Sequence, residues 1–199
     1  MYITSTLTDG VAVITLNRPE KFNSFIREMS LELQEALKRA GTDESVRAVL
    51  LTGNGKAFCA GQDLGEAIDP SGPGITRIVE EHYNPIILLI RNLEKPVVAA
   101  VNGVAAGAGA NIALAADIVV AGKGASFIQA FSKIGLIPDS GGTFLLPRLI
   151  GLQRAAALMF TADKVSADEA VAMGMIYKSF EDAELAEQAM RLATQLAKM

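Results

Sequence analysis

The stretch GLIPDSGGTFLLPRLIG, Gly135 to Gly151, holds a single carboxylate, Asp139, between a proline and a Gly-Gly pair, with apolar residues on both sides. An aspartate in a turn can serve local geometry alone, its oxygens accepting from nearby peptide N–H groups. Placed where water is scarce, the same group can act as a base. Two further stretches have the composition of binding loops. KAFCAGQDL, Lys56 to Leu64, follows the apolar run VRAVLLTG, and ligands in α/β sheets sit at the carboxyl ends of parallel strands. Gly61 lets the backbone turn or approach a ligand closely; the alternative is an ordinary glycine turn with Asp63 as a helix N-cap. NGVAAGAGANIAL, Asn102 to Leu114, leads small residues from a strand into a helix. Its first amides can hold an anion, or an oxygen on which negative charge develops. Small residues also permit close helix packing, and the stretch matches neither the dinucleotide nor the P-loop phosphate pattern.

The chain has one histidine, His82, and one cysteine, Cys59. A zinc site is therefore not expected, and no metal is assigned. Any Ser-His-Asp or Cys-His mechanism must use His82, which recurs at helical spacing with Ile75, Ile78, Val79 and Ile86, the pattern of a partly buried structural residue. Cys59 reads as a small buried hydrophobe.

These residues must be positioned by a core, and the composition provides one. Half of the 199 residues are hydrophobic, 20% are charged, and the formal net charge is -4. That balance describes a soluble globular chain of single-domain size. It lacks the clustered basic charge of a nucleic-acid surface. One cysteine precludes an internal disulfide and fits a reducing, cytoplasmic setting. The N-terminus lacks a signal-peptide pattern, and the most apolar stretch, Pro96 to Ala121, is too interrupted for a membrane span.

YITSTLTDGVAVITLNRP opens with two alternating runs joined by Asp9-Gly10, a hairpin signal. Ile26, Met29, Leu33, Leu37 and Ala40 predict a helix ending at Gly41. VRAVLLTG, PVVAAVNG and DIVVAG read as buried strands, separated by a long helix from about Ile75 to Asn92 and by the small-residue helix. Strands and helices alternating in this way indicate a parallel sheet. SADE, Ser166 to Glu169, is a capping box. A short strand near Met175 to Phe180 and a last helix to Met199 follow.

LNRPEKFNSF, AFCAGQDL, VNGVAAGAGANIALAADI and GLIPDSGG, in this order and separation, resemble the crotonase (enoyl-CoA hydratase/isomerase) superfamily from about Thr15 to Ile176. The resemblance implies an α/β fold, a crotonase-like spiral of strand-strand-helix units forming one acyl-CoA-binding domain over residues 1–199. Further helices complete the pocket in that family, so the C-terminal helical part is expected to be truncated. The resemblance also implies acyl-CoA thioester substrates, with coenzyme A as part of the substrate and no tightly bound cofactor. It implies a homotrimer or dimer of trimers. The peptide N–H groups of Gln62 and Ala108 take the place of an oxyanion hole. Coenzyme A is expected along Ala60, Gln62, Asp63 and Leu64. Lys21 either meets a CoA phosphate or is solvated.

Hydratases of the family activate water with two glutamates, and the corresponding positions here are Asn111 and Phe131. A carboxamide takes no proton at neutral pH and a phenyl ring does not orient water. Both are expected as contacts to the acyl group, with packing at a helix start as the alternative for Asn111. Asp139 occupies the place of the catalytic aspartate in isomerases and in a dehalogenase, and its apolar neighbours should raise its pKa. The 4-chlorobenzoyl-CoA dehalogenases add a tryptophan, where Phe131 stands, and a histidine, where Asn84 stands, so dehalogenation is disfavoured. The nearest local match is the branch acting on ring-1,2-epoxyphenylacetyl-CoA. It implies conversion of the epoxide to the oxepin-CoA, together with Δ3/Δ2 enoyl-CoA isomerisation. A hydratase-like or 4-chlorobenzoyl-CoA dehalogenase-like enzyme and a non-catalytic acyl-CoA-binding relative are the alternatives.

Overall fold

Residues 1–199 are described by a computed structural model. The chain begins with strands β1 (Ile3–Thr8) and β2 (Val11–Leu16), paired antiparallel across Asp9 and Gly10. Both turn residues have positive φ, 51° and 78°, the geometry that lets a two-residue turn follow the strand twist. Then come α1 (Arg27–Thr42), β3 (Ala48–Gly53), β4 (Ala57–Cys59), α2 (Leu64–Ile68), α3 (Gly74–Arg77), a π-helical turn (Ile78–Tyr83) and α4 (Asn84–Arg91). The middle of the chain supplies β5 (Val97–Val101), β6 (Val104–Ala106), α5 (Ala108–Leu114), β7 (Ile118–Gly122), β8 (Ser126–Ile128) and a 3-10 turn (Ala130–Ile134). Last are α6 (Gly142–Ile150), α7 (Leu152–Thr161), β9 (Lys164–Ser166), α8 (Ala167–Ala172), β10 (Lys178–Phe180) and α9 (Leu185–Ala197).

Two sheets result, in the orders β1-β2-β3-β5-β7-β10 and β4-β6-β8-β9. The pairs β3/β4, β5/β6 and β7/β8 each send their first strand to the larger sheet and their second to the smaller one. Repetition of that step generates the spiral, and every pairing among β3, β5 and β7 or among β4, β6 and β8 is parallel. β5 is buried along its whole length, which accounts for its unbroken run Val-Val-Ala-Ala-Val.

The main core fills the space between the sheets and helices, with Ile14, Leu16, Phe25, Met29, Leu33, Phe58, Ile86 and Phe127 among its largest buried side chains. A second, smaller core lies on the other side of the large sheet. There Leu185, Ala189, Ala193 and Ala197 of α9 pack on Val11, Leu50, Val98 and Val120.

Local expectations compare well, with two informative differences. Ser166 caps α8 as a full capping box: its Oγ accepts from Glu169 N–H, and its own N–H donates to Glu169 Oε2 at 2.8 Å. α1 runs past Gly41 to Thr42, because Gly41 stays helical with its bare Cα against Leu93. The long helix is not uniform either. Pro85 has no N–H to give the Glu81 carbonyl, and Asn84 N–H reaches back to Val79 O, a π-type step. Another helix reaches these carbonyls: Gln34 Nε2 of α1 donates to Glu81 O at 2.8 Å and His82 O at 3.2 Å. Gln34→Ala should therefore remove both bonds and lower the unfolding free energy by about 1–3 kcal/mol, read as a shift of the urea midpoint with unchanged slope.

Candidate active site

The connections leaving the neighbouring parallel strands β4, β6 and β8 converge on one cavity. Its volume is about 290 Å³, and Gln62, Ala108, Phe131 and Asp139 all line it. The loop after β4 is held from below by the segment before α1. Phe25 N–H donates to Gly61 O at 2.7 Å, and Asp63 N–H donates to Phe25 O at 2.8 Å. These two bonds make a parallel bridge between Phe25 and Gln62. In such a bridge the residue between the two bonded ones turns its peptide the opposite way. Gln62 N–H accordingly makes no backbone hydrogen bond, and it faces away from Phe25.

The second donor comes from the loop after β6. Ala108 is the first residue of α5, so no carbonyl of its own helix can accept its N–H. The two loops approach closely because neither has a side chain in the way. Gly61 has φ 93°, and a Cβ there would lie 2.9 Å from Ala106 O. At Gly109 a Cβ would run into the carbonyl oxygen and Sγ of Cys59. Cys59 is itself packing material: it is buried, and burial pushes its thiol pKa up to about 12.

Asp139 belongs to the connection after β8. A turn with positive φ at Ser140 (50°) and Gly141 (73°) reverses the chain into α6. Asp139 is the only carboxylate lining a cavity whose other walls include Leu64, Ile75, Ile78, Phe131, Ile134 and Leu136. Burial raises its pKa above the ordinary 3.8, and a 2.8 Å hydrogen bond from Ser140 Oγ to Oδ1 opposes part of that rise. A carboxylate with a raised pKa in the same cavity wall as two unpaired peptide donors has the groups needed to remove a proton from a carbon beside a polarised carbonyl.

Of the expected contacts, Ala60, Gln62, Leu64, Ala108, Phe131 and Asp139 line the cavity, and Lys21, Asp63 and Asn111 do not. Asn111 needs a correction. Its Nδ2 donates to Asp139 O at 2.9 Å and its Oδ1 accepts from Gln129 Nε2 at 2.8 Å, with the side chain fully buried. It fastens the loop carrying the carboxylate and does not line the cavity, as the packing alternative expects. Asp63 fills its alternative role as a helix N-cap. Its side chain caps α2 and pairs with Arg18 at 2.7 Å, and that guanidinium holds its pKa low. Lys21 ends an exposed 3-10 turn, Pro19–Lys21, outside the cavity wall.

His82 is buried, neither ring nitrogen has a partner, and burial depresses its pKa. It does not line the cavity. Tyr83 does, and nothing in the sequence singled it out: at helical spacing it reads as one more core residue. Its hydroxyl donates to Gln62 Oε1 at 2.8 Å. No group of three or more His, Cys, Asp or Glu side chains is placed to hold a metal ion.

A family model described as enoyl-CoA hydratase/isomerase matches residues 6–199. The chain belongs to the enoyl-CoA hydratase/isomerase family. It is 50% identical over 199 residues to the 1,2-epoxyphenylacetyl-CoA isomerase of Escherichia coli K12, covering 98% of this chain and 76% of that relative. It is 41% identical to the trans-2-decenoyl-[acyl-carrier-protein] isomerase of Streptococcus mutans, covering 94% and 73% of the two chains. The crystal structure of an enoyl-CoA hydratase from Bacillus anthracis superposes with a TM-score of 0.93 at 35% identity, covering 100% of this chain and 78% of that one. The α/β spiral is thus the fold of the family, and no helix here is long and apolar enough to cross a membrane.

The raised pKa of Asp139 has a thermodynamic counterpart. The folded protein binds this proton more tightly than the unfolded chain, so stability is lost as pH rises from the ordinary aspartate range through the raised folded value. Asp139→Asn should therefore raise the melting temperature at pH 7, with the gain shrinking toward zero below pH 4, measured by calorimetry across that range.

Proposed function

We propose that this chain is an acyl-CoA isomerase that works through a thioester enolate. The observation that carries the reading is Asp139 as the only carboxylate in the cavity wall, together with the Gln62 and Ala108 peptides. A thioester oxygen between the two N–H groups is polarised, and the α-proton becomes acidic. Asp139 takes that proton, and the C–H electron pair moves into the Cα–C bond as negative charge passes to the oxygen. For a Δ3 substrate the electrons return through the conjugated system, Asp139 delivers its proton to the γ carbon, and the double bond ends at Δ2. Overall no atom is gained or lost.

The Escherichia coli relative's printed substrate, 1,2-epoxyphenylacetyl-CoA, suits the same enolate. Its electron pair forms beside the ring carbon bearing the epoxide oxygen, where it can drive rearrangement to the isomeric oxepin-CoA. The apolar wall of Ile75, Ile78, Phe131 and Leu136 fits an aryl or unsaturated acyl group. The CoA arm is proposed to run along Ala60, Gln62, Asp63 and Leu64, supported by Ala60, Gln62 and Leu64 in the cavity wall. Hydration is less well supported, because no second carboxylate in the wall can activate water. Assembly as a trimer is also proposed, supported by the exposed Phe144, Leu152 and Phe160 on α6 and α7, and so is a cytoplasmic setting, which the free thiol of Cys59 fits.

Two variants test the mechanism. Asp139→Asn is expected to lower kcat for Δ3/Δ2 isomerisation by about 10²–10⁴-fold while acyl-CoA binding, measured by calorimetry, stays within a few-fold. Full turnover by this variant would refute the proton shuttle. Ala108→Pro removes one oxyanion donor at a helix position where proline is tolerated and turns its Cδ toward the place of the thioester oxygen; kcat/KM should fall at least about 10²–10³-fold, with folding checked by circular dichroism.

A further inference from the structure

The Gln62 peptide is clamped through its side chain as well as its backbone. Tyr83 is buried in the cavity wall, and its hydroxyl donates to Gln62 Oε1 at 2.8 Å. Gln62 Nε2 in turn donates to Glu66 Oε2 at 2.7 Å. The other oxygen of Glu66 accepts Arg27 N–H, the first amide of α1, at 2.8 Å. Below, the Tyr83 ring packs edge-on against Phe25, with centroids 5.9 Å apart and planes at 77°. Phe25 is the residue whose backbone brackets Gln62. Thus both hydrogen-bonding ends of the Gln62 carboxamide are engaged, and the ring under Tyr83 belongs to the residue that fixes the Gln62 backbone.

We infer that Tyr83 is a positioning residue: through the Gln62 side chain, with Glu66 as the opposite anchor, it fixes the direction of the Gln62 N–H toward the thioester oxygen. The inference rests on the oxyanion role given to Gln62 above. An unclamped glutamine side chain samples several rotamers, and the peptide then keeps only the restraint of its two Phe25 bonds. Loss of donor alignment acts on the transition state more than on binding, since charge on the oxygen grows along the reaction. The clamp also ties donor geometry to closure of the cavity. Glu66 lies on α2, and the same short helix supplies Leu64 and Ala67 to the wall. An acyl group that packs against Leu64 and Ala67 therefore holds Glu66 where Gln62 needs it.

The test uses Tyr83→Phe, Gln62→Ala and the double variant. Gln62→Ala keeps the peptide N–H and removes only the clamped side chain, so it reads the same interaction without touching the packed ring. Each of the three is expected to lower kcat about tenfold, less than the 10²–10³-fold of complete donor loss, with KM within twofold. The double variant should be no worse than either single one, because both break one link. Losses that multiply in the double variant, or wild-type kcat in Tyr83→Phe, would overturn the inference.

A second readout separates this inference from the mechanism beneath it. In an Asp139→Asn background, crotonyl-CoA is bound without proton transfer and its thioester carbonyl stretch is followed by isotope-edited infrared spectroscopy. A shift to lower frequency that shrinks equally on adding Tyr83→Phe or Gln62→Ala supports the inference. A shift left intact by Tyr83→Phe overturns it and leaves the oxyanion hole standing. No shift in the Asp139→Asn parent overturns the oxyanion hole itself, and the positioning role with it.

Discussion

Two peptide groups can share one oxygen only if their chains come close enough, and side chains normally prevent this. The contact that permits it here is α5 on the end of β4, where Gly109 lies directly over Cys59. Cys59 is small, buried and far from ionising at neutral pH, so it fills the joint without bringing charge to it. The opposite side of the same loop is closed by Phe25, whose N–H and C=O both bond to it. With the N-terminal segment below and α5 above, the Gly61–Gln62 peptide has little freedom left. Desolvation then does the rest: hydrogen bonds that compete poorly in water become strong contacts where water is excluded.

The acid is handled in the complementary way. Nothing cationic pairs with Asp139; its one side-chain partner is a neutral hydroxyl. By contrast Asp63, a short distance along the first loop, is paired with Arg18 and caps a helix. One aspartate is made as comfortable as possible when charged, the other is kept short of charge stabilisation. That difference in surroundings, more than the residue type, separates a structural carboxylate from a reactive one. The buried carboxamide of Asn111 completes the arrangement by binding the main chain of the reactive aspartate and leaving its carboxyl free.

What could be read from the letters was whatever is decided locally. The Asp9-Gly10 hairpin, the Ser166 capping box and the unbroken apolar runs of β3, β5 and β7 each declare themselves within a few residues. The smaller sheet did not, because Ala57–Cys59, Val104–Ala106 and Ser126–Ile128 are three-residue strands, too short for any period to show. Gln62, Ala108 and Asp139 were reached through the family likeness, not through spacing. The roles of Asn111 and Tyr83 depend on partners 28 and 21 positions away. No local pattern encodes a pairing of that kind, and at helical spacing Tyr83 looks like any other buried core residue.

Flanked by the partly buried Met190, Leu192 and Leu196, the stripe of α9 fully buried on the large sheet beyond Leu185 is alanine: Ala189, Ala193 and Ala197. Side chains that small let a helix lie low on a sheet and give it almost no way to lever strands apart. The sheet therefore stands as a partition between the reacting side of the molecule and its sealed back. No side chain of that back core lines the cavity, so substitutions there act on the durability of the protein before they reach its chemistry.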